Sequence, residues 1–422
     1  MSAFTPDSVA RPQGPAWLSD RRAAALERFD DAGLPTEAEE IWRYSRISEL
    51  DLDRYSPVQG EPESGVPADA VDGIESVGRR AGLIVTRNGR VAHVELDSAL
   101  AGRGVEVGDV LAAPDGDDLF GSVAASSTDA LTELATAFVS AAVLVRVPAG
   151  VTVADPIVVV HWVDADGEAV FPRTVVVLGE DAEATVIERF QSSDVAAFVD
   201  PVIELDVGDA ARLKYASVQD LGPRVWQTAY QASRVGRDGQ LSSTAVALGG
   251  DYARLRIDAR LERQGGSSQL MAVYFAAGST MHDFRTLQDH DAPQTTSDLL
   301  FKGAVAGTSK GVYSGIIRVR PKARGTNAFQ TNRNLVLSEG AGAESVPTLE
   351  IETDDVRCSH ASAVGPIDEE QRYYLESRGI PPEVAERLIV LGFFSEVLER
   401  LPSPTLADRL RDRLAVRLGG GA

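Results

Sequence analysis

Cysteine is almost missing from this chain. Cys358 is the only one in 422 residues, so no intrachain disulfide can form, stability has to come from packing, and a reducing compartment suits the protein. Lysine is nearly as scarce. Lys214, Lys302, Lys310 and Lys322 are the full set, and arginine supplies the rest of the positive charge. Positive charge is itself in deficit, with 41 Lys and Arg against 63 Asp and Glu, a formal net charge of -22. Such a surface repels phosphate backbones, which argues against nucleic acid and anionic membranes as partners. Long apolar runs are absent too. Residues 388–394 and 157–160 are among the longest, far short of the roughly 18 apolar residues of a membrane span. The N-terminal stretch MSAFTPDSVARPQGPAW has no apolar signal core. The expected location is cytoplasmic.

Familiar catalytic motifs are also lacking. The closest look-alike to a phosphate-binding loop, GAVAGTSKG, misses the Gly-Lys-Ser/Thr ending at the right spacing, which leaves Lys310 as a turn lysine. There is no HExxH, no GxSxG and no paired-cysteine motif. Any nucleotide hydrolysis has to be supplied by another chain.

What is present divides into three regions: 1–80, 81–365 and 366–422. The first reads as helical. Trp17, Arg21, Ala24, Ala25 and Phe29 recur at helical spacing, and Gly33-Leu34-Pro35 ends that helix. Thr36 and Glu39 form a capping box before a short helix with Ile41, Trp42 and Tyr44. A Pro-, Gly- and acid-rich linker, DLDRYSPVQGEPESGVPADAVDG, comes next. From about residue 82, short Val/Ile/Thr runs alternate with Gly-Asp turns, apart from a helical interlude near 128–139. Asp181, Asp209, Asp238 and Gly266 are spaced by 28, 29 and 28 residues, with two strand-like runs in each interval. A fixed period of this kind predicts stacked coils, a β-helix or similar β-solenoid. The alternative is a large antiparallel sandwich with evenly spaced hairpins. Helical signals return after Asp368: EEQRYYLESRGI ends at Gly379, PPEVAERLIVLGFFSEVLERL comes after it, and Ser403-Pro404 opens a last helix. Leu406, Leu410, Leu414 and Leu418 stand there at i, i+4 spacing. That stripe either packs on the preceding helix or docks another protein.

Two stretches carry histidine near other chemistry. In MHDFRTLQDHDAPQTTSDLLFKG, His282 and His290 are eight apart, which matches no compact metal motif, and they read as hydrogen-bonded structural groups. In LEIETDDVRCSH, an unbroken strand would place Glu350, Glu352, Asp354, Val356, Cys358 and His360 on one face. Three carboxylates, a thiol and an imidazole suit a borderline metal such as iron, with His360 as the candidate ligand. A bulge at Asp354-Asp355 would shift the parity. The plain alternative is a solvated acidic edge with one incidental cysteine. An iron–sulfur cluster takes about four protein ligands, mostly cysteine, so this chain cannot hold a conventional one alone. A structural zinc site fails on the same count.

The run RGTNAFQTNRNLVLSEGAGAESVPTLEIETDDVRCSHASAVGPIDEEQRYYLESRGI resembles the C-terminal core of the SufB/SufD family of iron–sulfur cluster assembly scaffolds. HDFRTLQDHDAPQTTSDLLFKGAVAGTSKGVYSGIIRV resembles the segment before it, and GLPTEAEEIWRYSRI the helical start. The CSHASAVG form, the WRYS start and the single cysteine are similar to the SufD branch. The resemblance implies a mainly β protein: a right-handed β-helix core flanked by N-terminal and C-terminal α-helical regions. It also implies a heterodimer with SufB and a copy of the ATPase SufC docked on the C-terminal helices, with Leu388, Leu391, Phe393, Leu406, Leu410 and Leu414 as candidate docking residues. ATP would be bound by SufC, not by this chain. A nascent iron–sulfur cluster would be shared with SufB at an interface holding His360 and Cys358, and no cofactor would stay bound to the chain alone. A role for Glu352 and Asp354 in holding incoming iron is a reading of the residues, not of the family. The chain is thus expected to be a scaffold subunit, not an enzyme. A purely structural subunit that activates SufC is the second reading, and a β-helix carbohydrate-active enzyme a remote third. A homodimer through an exposed solenoid edge is open for the isolated chain.

Overall fold

The computed structural model describes residues 3–9, 14–58, 64–124 and 129–419. Part of the N-terminal stretch, the middle of the linker (59–63) and Thr128 lie outside the described residues. The Val/Ile/Thr runs form two long sheets of parallel strands. In one, the order runs from Val356–Gly365 through Thr326–Val336, Thr296–Val305, Ser267–Ala276, Gln240–Ala247, Arg212–Asp220, Glu183–Ser192 and Ile157–Val163 to Gly82–Arg87. Register partners lie one coil apart in sequence. Arg212 pairs with Gln240, Gln240 with Ser267 and Ser267 with Thr296, steps of 28, 27 and 29 residues. From Val202–Val207 onward the chain crosses between the sheets at every strand, within a β-solenoid core of about 8 turns with helices at both termini. The sandwich alternative fails because its neighbours would be antiparallel. Among the described strands, antiparallel pairs occur only at the N-terminal end of the core, where Arg90–Leu96 pairs with Gly82–Arg87 and Glu106–Asp109 with Ala142–Val147.

The turn periodicity has a backbone origin. Asp181, Ala210, Asp238 and Gln294 have φ of 53°, 57°, 55° and 58°, and Gly265 and Gly325 have 75° and 73°. These six residues are the same corner of successive coils. The left-handed conformation turns each N–H onto the next coil: Asp181 N donates to Asp209 O at 2.9 Å, Ala210 N to Arg237 O at 2.7 Å and Gln294 N to Arg324 O at 2.8 Å. Asp, Asn-like and Gly residues tolerate that conformation best, which is why the sequence repeats Asp and Gly there.

Parallel in-register strands about 4.8 Å apart stack like positions on like. The first coils fill the interior with Ile157, Val159, Val186, Leu213 and Leu241. Later coils use rings and polar groups: Phe284, Phe301, Tyr274 and Tyr313, then Gln330, Asn332 and Asn334. A Cβ on Gly303 would lie 2.2 Å from the Tyr274 ring, so that ring needs a glycine in the next coil.

Helices cover the outer faces. The helix Ala16–Ala32 buries Leu18, Arg22, Ala25, Leu26 and Phe29. This stripe is displaced from the expected one, leaving Trp17, Arg21 and Ala24 half-buried at its edge. Thr36 N–H does bond Glu39 Oε1, at 2.8 Å, but the element it leads into is a single 3-10 turn, Glu40–Trp42. Trp42 is held by cations: the Arg254 guanidinium lies 3.8 Å over its ring, Arg254 also donates to Ile41 O, and Arg285 donates to Arg43 O. Both arginines bond the enclosed carboxylate of Asp283.

On the other sheet, the helix Pro382–Leu398 buries Ala385, Val390, Phe394, Val397 and Leu398. Lys302, the one buried lysine, clamps it by donating to Phe393 O at 2.9 Å and pairing with Glu396 at 2.5 Å. The last helix, Pro404–Gly419, is anchored by Arg417 to Asp220 at 2.7 Å and capped by Ser403 Oγ, which accepts from Leu406 N. No helix among the described residues is long and apolar enough to cross a membrane.

Candidate functional site: the open end of the solenoid

At its N-terminal end the solenoid is covered by the antiparallel strands Arg90–Leu96 and Glu106–Asp109, with Leu96, Leu100, Val105 and Val107 packed on its core, and among the described residues the other end has no such cover. The last strands, Gly342–Ile351 and Val356–Gly365, each pair on one side only. On Thr326–Val336 the buried residues are Thr326, Ala328, Gln330, Asn332 and Asn334, alternating with more exposed neighbours, so even numbers face the interior. Register carries this onto the last strand: Cys358 stacks on Ala328, His360 on Gln330, Ser362 on Asn332 and Val364 on Asn334. These four side chains therefore lie on the interior face, yet no strand among the described residues stacks above them. His360 is exposed, and Cys358 is partly buried beside Val319, Ala323 and Ala328. Burial pushes the Cys358 thiol up, opposed by a hydrogen bond from the Ala328 backbone, so in the free chain it is a protonated and weak nucleophile at neutral pH. Ser362 Oγ donates to Ser345 Oγ at 2.7 Å and ties the two last strands together across the mouth.

The acidic face expected from an unbroken strand does not exist. The first strand ends at Ile351 and the second begins at Val356 in the other sheet. Across that corner the parity flips. On Gly342–Ile351 the odd positions stack on buried Tyr313, Gly315, Ile317 and Val319, so Glu350 points outward, where it accepts from Arg318 Nε at 2.6 Å. Glu352 and Asp354 are exposed corner residues, and Glu352 N donates to Val319 O. Among the described residues no group of three His, Cys, Asp or Glu is placed to hold a metal ion. The site therefore brings Cys358 and His360 together and leaves out Glu350, Glu352 and Asp354. The corner geometry is a tertiary fact, since Gly325 N donates to Asp355 O and pins it.

The C-terminal leucines also need correction. Leu406, Leu410 and Leu414 are enclosed, against Val390, Phe394 and the outer face of the sheet, so they are this chain's own core and offer no docking surface. Leu388 is exposed, and Leu391 and Phe393 are half-buried. The helix Glu369–Ser377 buries nothing, and Tyr373 and Tyr374 stand out from it at 73% and 56% exposure. Sequence reading missed both tyrosines because a helix next to a hydrophobic one is expected to pack. It also missed Gln330, Asn332 and Ser345; aligning AFQTNRN with CSHASAV at the coil period would have found the first two.

The expectation for the other histidines holds. His290 lies between Thr295 Oγ1 (2.7 Å) and Ser297 Oγ (2.8 Å), and His282 Nε2 is 3.0 Å from Gly249 O. Burial lowers both to about 4, so both are neutral structural groups.

Comparison with known proteins agrees with this architecture. Residues 161–393 match the family described as SUF system FeS cluster assembly, SufBD core domain, and residues 8–159 match the SufBD protein N-terminal region. An iron–sulfur cluster assembly SufBD family protein of Mycobacterium tuberculosis is 36% identical over 291 residues, 67% of this chain and 72% of the relative. The iron–sulfur cluster assembly protein SufD of Escherichia coli is 29% identical over 402 residues (94% of this chain, 92% of the relative), and that of Bacillus subtilis 30% over 405 residues (92% and 91%). With both regions matched and its solenoid in place, the chain belongs to the SufBD family of iron–sulfur cluster assembly proteins, similar over most of its length to SufD.

Proposed function

We propose that this chain is a scaffold subunit that pairs its open solenoid end with a SufB-type partner, and that a nascent iron–sulfur cluster forms at that joint. The observation that carries the reading is the stack Gln330–His360. His360 is an interior-facing residue with no coil above it, the arrangement expected of a group completed by a second solenoid. The same end exposes interior-facing Ile351 and Val364, at 41% and 46%, apolar surface that a partner would cover. A neutral imidazole at His360 can ligate iron, and a partner supplies the remaining ligands, since this chain has one thiol. Iron and sulfide are cargo here. A SufC-type ATPase would dock on the exposed flank formed by Tyr373, Tyr374 and Leu388, beside the clamp at Lys302. The site of action is taken to be cytoplasmic.

Co-expression with SufB-type and SufC-type partners, with light scattering of the purified product, tests the assembly. A stable complex of all three is the expected product, and this chain eluting alone would refute the reading. Within the complex, His360→Ala should assemble and fail to support cluster formation. The separation of Glu352 and Asp354 from His360 favours a second reading, a purely structural subunit that stimulates the ATPase. Full cluster formation by His360→Ala would select it.

A further inference from the structure

A cleft of about 660 Å³ lies between the helix Ala16–Ala32, the helix Ala130–Phe138 and the turn at Phe120–Gly121, with the first residue of the strand Arg173–Leu178 in its wall. That volume suits a small-molecule site. The charged side chains lining it are Arg21, Arg28 and Arg173 against Asp20 and Glu133. A basic majority stands out in a chain with 41 Lys and Arg against 63 Asp and Glu.

The wall is rigid before any ligand arrives. The enclosed carboxylate of Glu204 accepts from the N–H groups of Gly121, Val123 and Ala124 at 2.9, 2.9 and 3.0 Å. It also accepts from Arg173 Nε and Nη2 at 2.9 and 2.7 Å, so one carboxylate fixes both the turn and the guanidinium. Arg173 lies 3.9 Å over the Phe120 ring. Arg21 closes the same turn, with Nη1 donating to Phe120 O at 2.6 Å and Nη2 pairing with Asp117 at 2.5 Å. Gly121 sits between these two cations. Its φ is 79°, and a Cβ there would lie 3.7 Å from Arg173 Nη2 and 3.9 Å from Arg21 Nη1. Two guanidiniums thus flank one unfilled point on the cleft wall. Their donors are not all spent. Among the described residues Arg173 Nη1 meets only Thr136 Oγ1, at 3.4 Å, and Arg28 bonds Glu133 through Nη2 alone, at 2.8 Å. Arg21, Ala24 and Arg28 share one face of their helix, so the third cation extends the line begun by the first.

We propose that this cleft binds a small organic anion, its charged oxygens over Gly121 between Arg21 and Arg173 and its body along Ala24 toward Arg28. Phosphate is the expected head group, because guanidiniums bond it bidentately, and a carboxylate shares that chemistry. The site belongs to the chain by itself and does not depend on the scaffold reading.

Phenyl phosphate and benzoate are titrated into the full chain by calorimetry at low salt, with thermal unfolding measured beside them. Phenyl phosphate is expected to bind and to raise the midpoint. Arg21→Gln removes a donor and Ala24→Glu places a like charge on the wall, and each should weaken binding by roughly tenfold or more. Ala24 is a half-buried helix position, so Ala24→Glu keeps the measurement decisive should loss of the Phe120 contact unfold Arg21→Gln. Tighter binding of benzoate, lost in the same variants, supports the site and assigns it to carboxylates. No binding of either probe at millimolar concentration, or equal affinity in a folded variant, overturns the proposal.

Discussion

His161 Nε2 and Glu188 Oε1 lie 2.7 Å apart inside the solenoid, with side-chain exposures of 1% and 0%. Around this pair, Thr86 Oγ1 is 2.8 Å from His161 Nδ1, Thr174 Oγ1 donates to Glu188 Oε1, and the Tyr215 hydroxyl donates to Glu188 Oε2. Burial, then the Glu188 charge, pushes the Tyr215 phenol well above its ordinary value, so it stays a donor. One carboxylate thus organises three neighbours in an otherwise aliphatic interior. Glu188→Leu should destabilise the fold by roughly 3–5 kcal/mol, because it removes the carboxylate that three buried polar groups share and leaves the Tyr215 hydroxyl without that acceptor. Urea unfolding measures this, and a loss below about 1 kcal/mol would mean that the network does not hold the coils together.

Asp200 predicts a pH dependence. It is buried, Oδ1 accepts from Thr228 at 2.8 Å, and Oδ2 has no partner among the described residues. Burial pushes its carboxyl well above the usual range, against the pull of the Thr228 hydrogen bond. The folded state therefore keeps a proton that the unfolded state releases. Its contribution is complete below the unfolded pKa and is lost as pH rises through the folded value. Asp200→Asn should flatten that decline and raise the midpoint at neutral pH. Parallel pH–stability curves for the two proteins would refute the assignment.

The left-handed corners make a backbone prediction. Ala210 has φ of 57° with no side chain suited to it, so Ala210→Gly should stabilise by about 0.5–1 kcal/mol. Gly265→Ala should do the opposite and lose more, since φ is 75° and its Cβ would lie 2.0 Å from Asp238 Oδ1. Denaturation midpoints of the pair decide the matter, and the same sign for both would refute the account.

The two sets of C-terminal leucines should separate. Leu410→Ala removes an enclosed side chain and should cost roughly 2–4 kcal/mol, whereas the exposed Leu388→Ala should stay within about 0.5 kcal/mol of the parent. If the ATPase docks as proposed, Leu388→Ala combined with Tyr374→Ala should weaken its binding in calorimetry while leaving the fold intact. Undiminished affinity would place the docking surface elsewhere.

Much of the fold was legible because a solenoid writes its geometry as a period. Asp181, Asp209 and Asp238 mark corners where one backbone conformation recurs once per coil, and the absence of cysteine pairs and catalytic motifs needed no coordinates. The site was legible only in part. Cys358 and His360 do share a face, since both lie within Val356–Gly365. Glu350 does not join them, because alternation survives only while a strand is unbroken, and the corner at 352–355 sends the chain into the other sheet with its parity reversed.

The amino-acid sequence alone determined the architecture: repeating strands, corners where Asp and Gly recur, helical ends, a surface of negative charge, and too few thiols to hold a cluster. Those properties are local or compositional, so residues close along the chain suffice to reveal them. Tertiary structure decided which way each side chain faces and what covers it. Leucines at i, i+4 look alike whether they meet a partner or their own sheet, and only packing showed Leu410 enclosed and Leu388 free. His360 stacks on Gln330, thirty residues earlier, and the lack of any coil above it is a property of the whole stack, which no local pattern encodes.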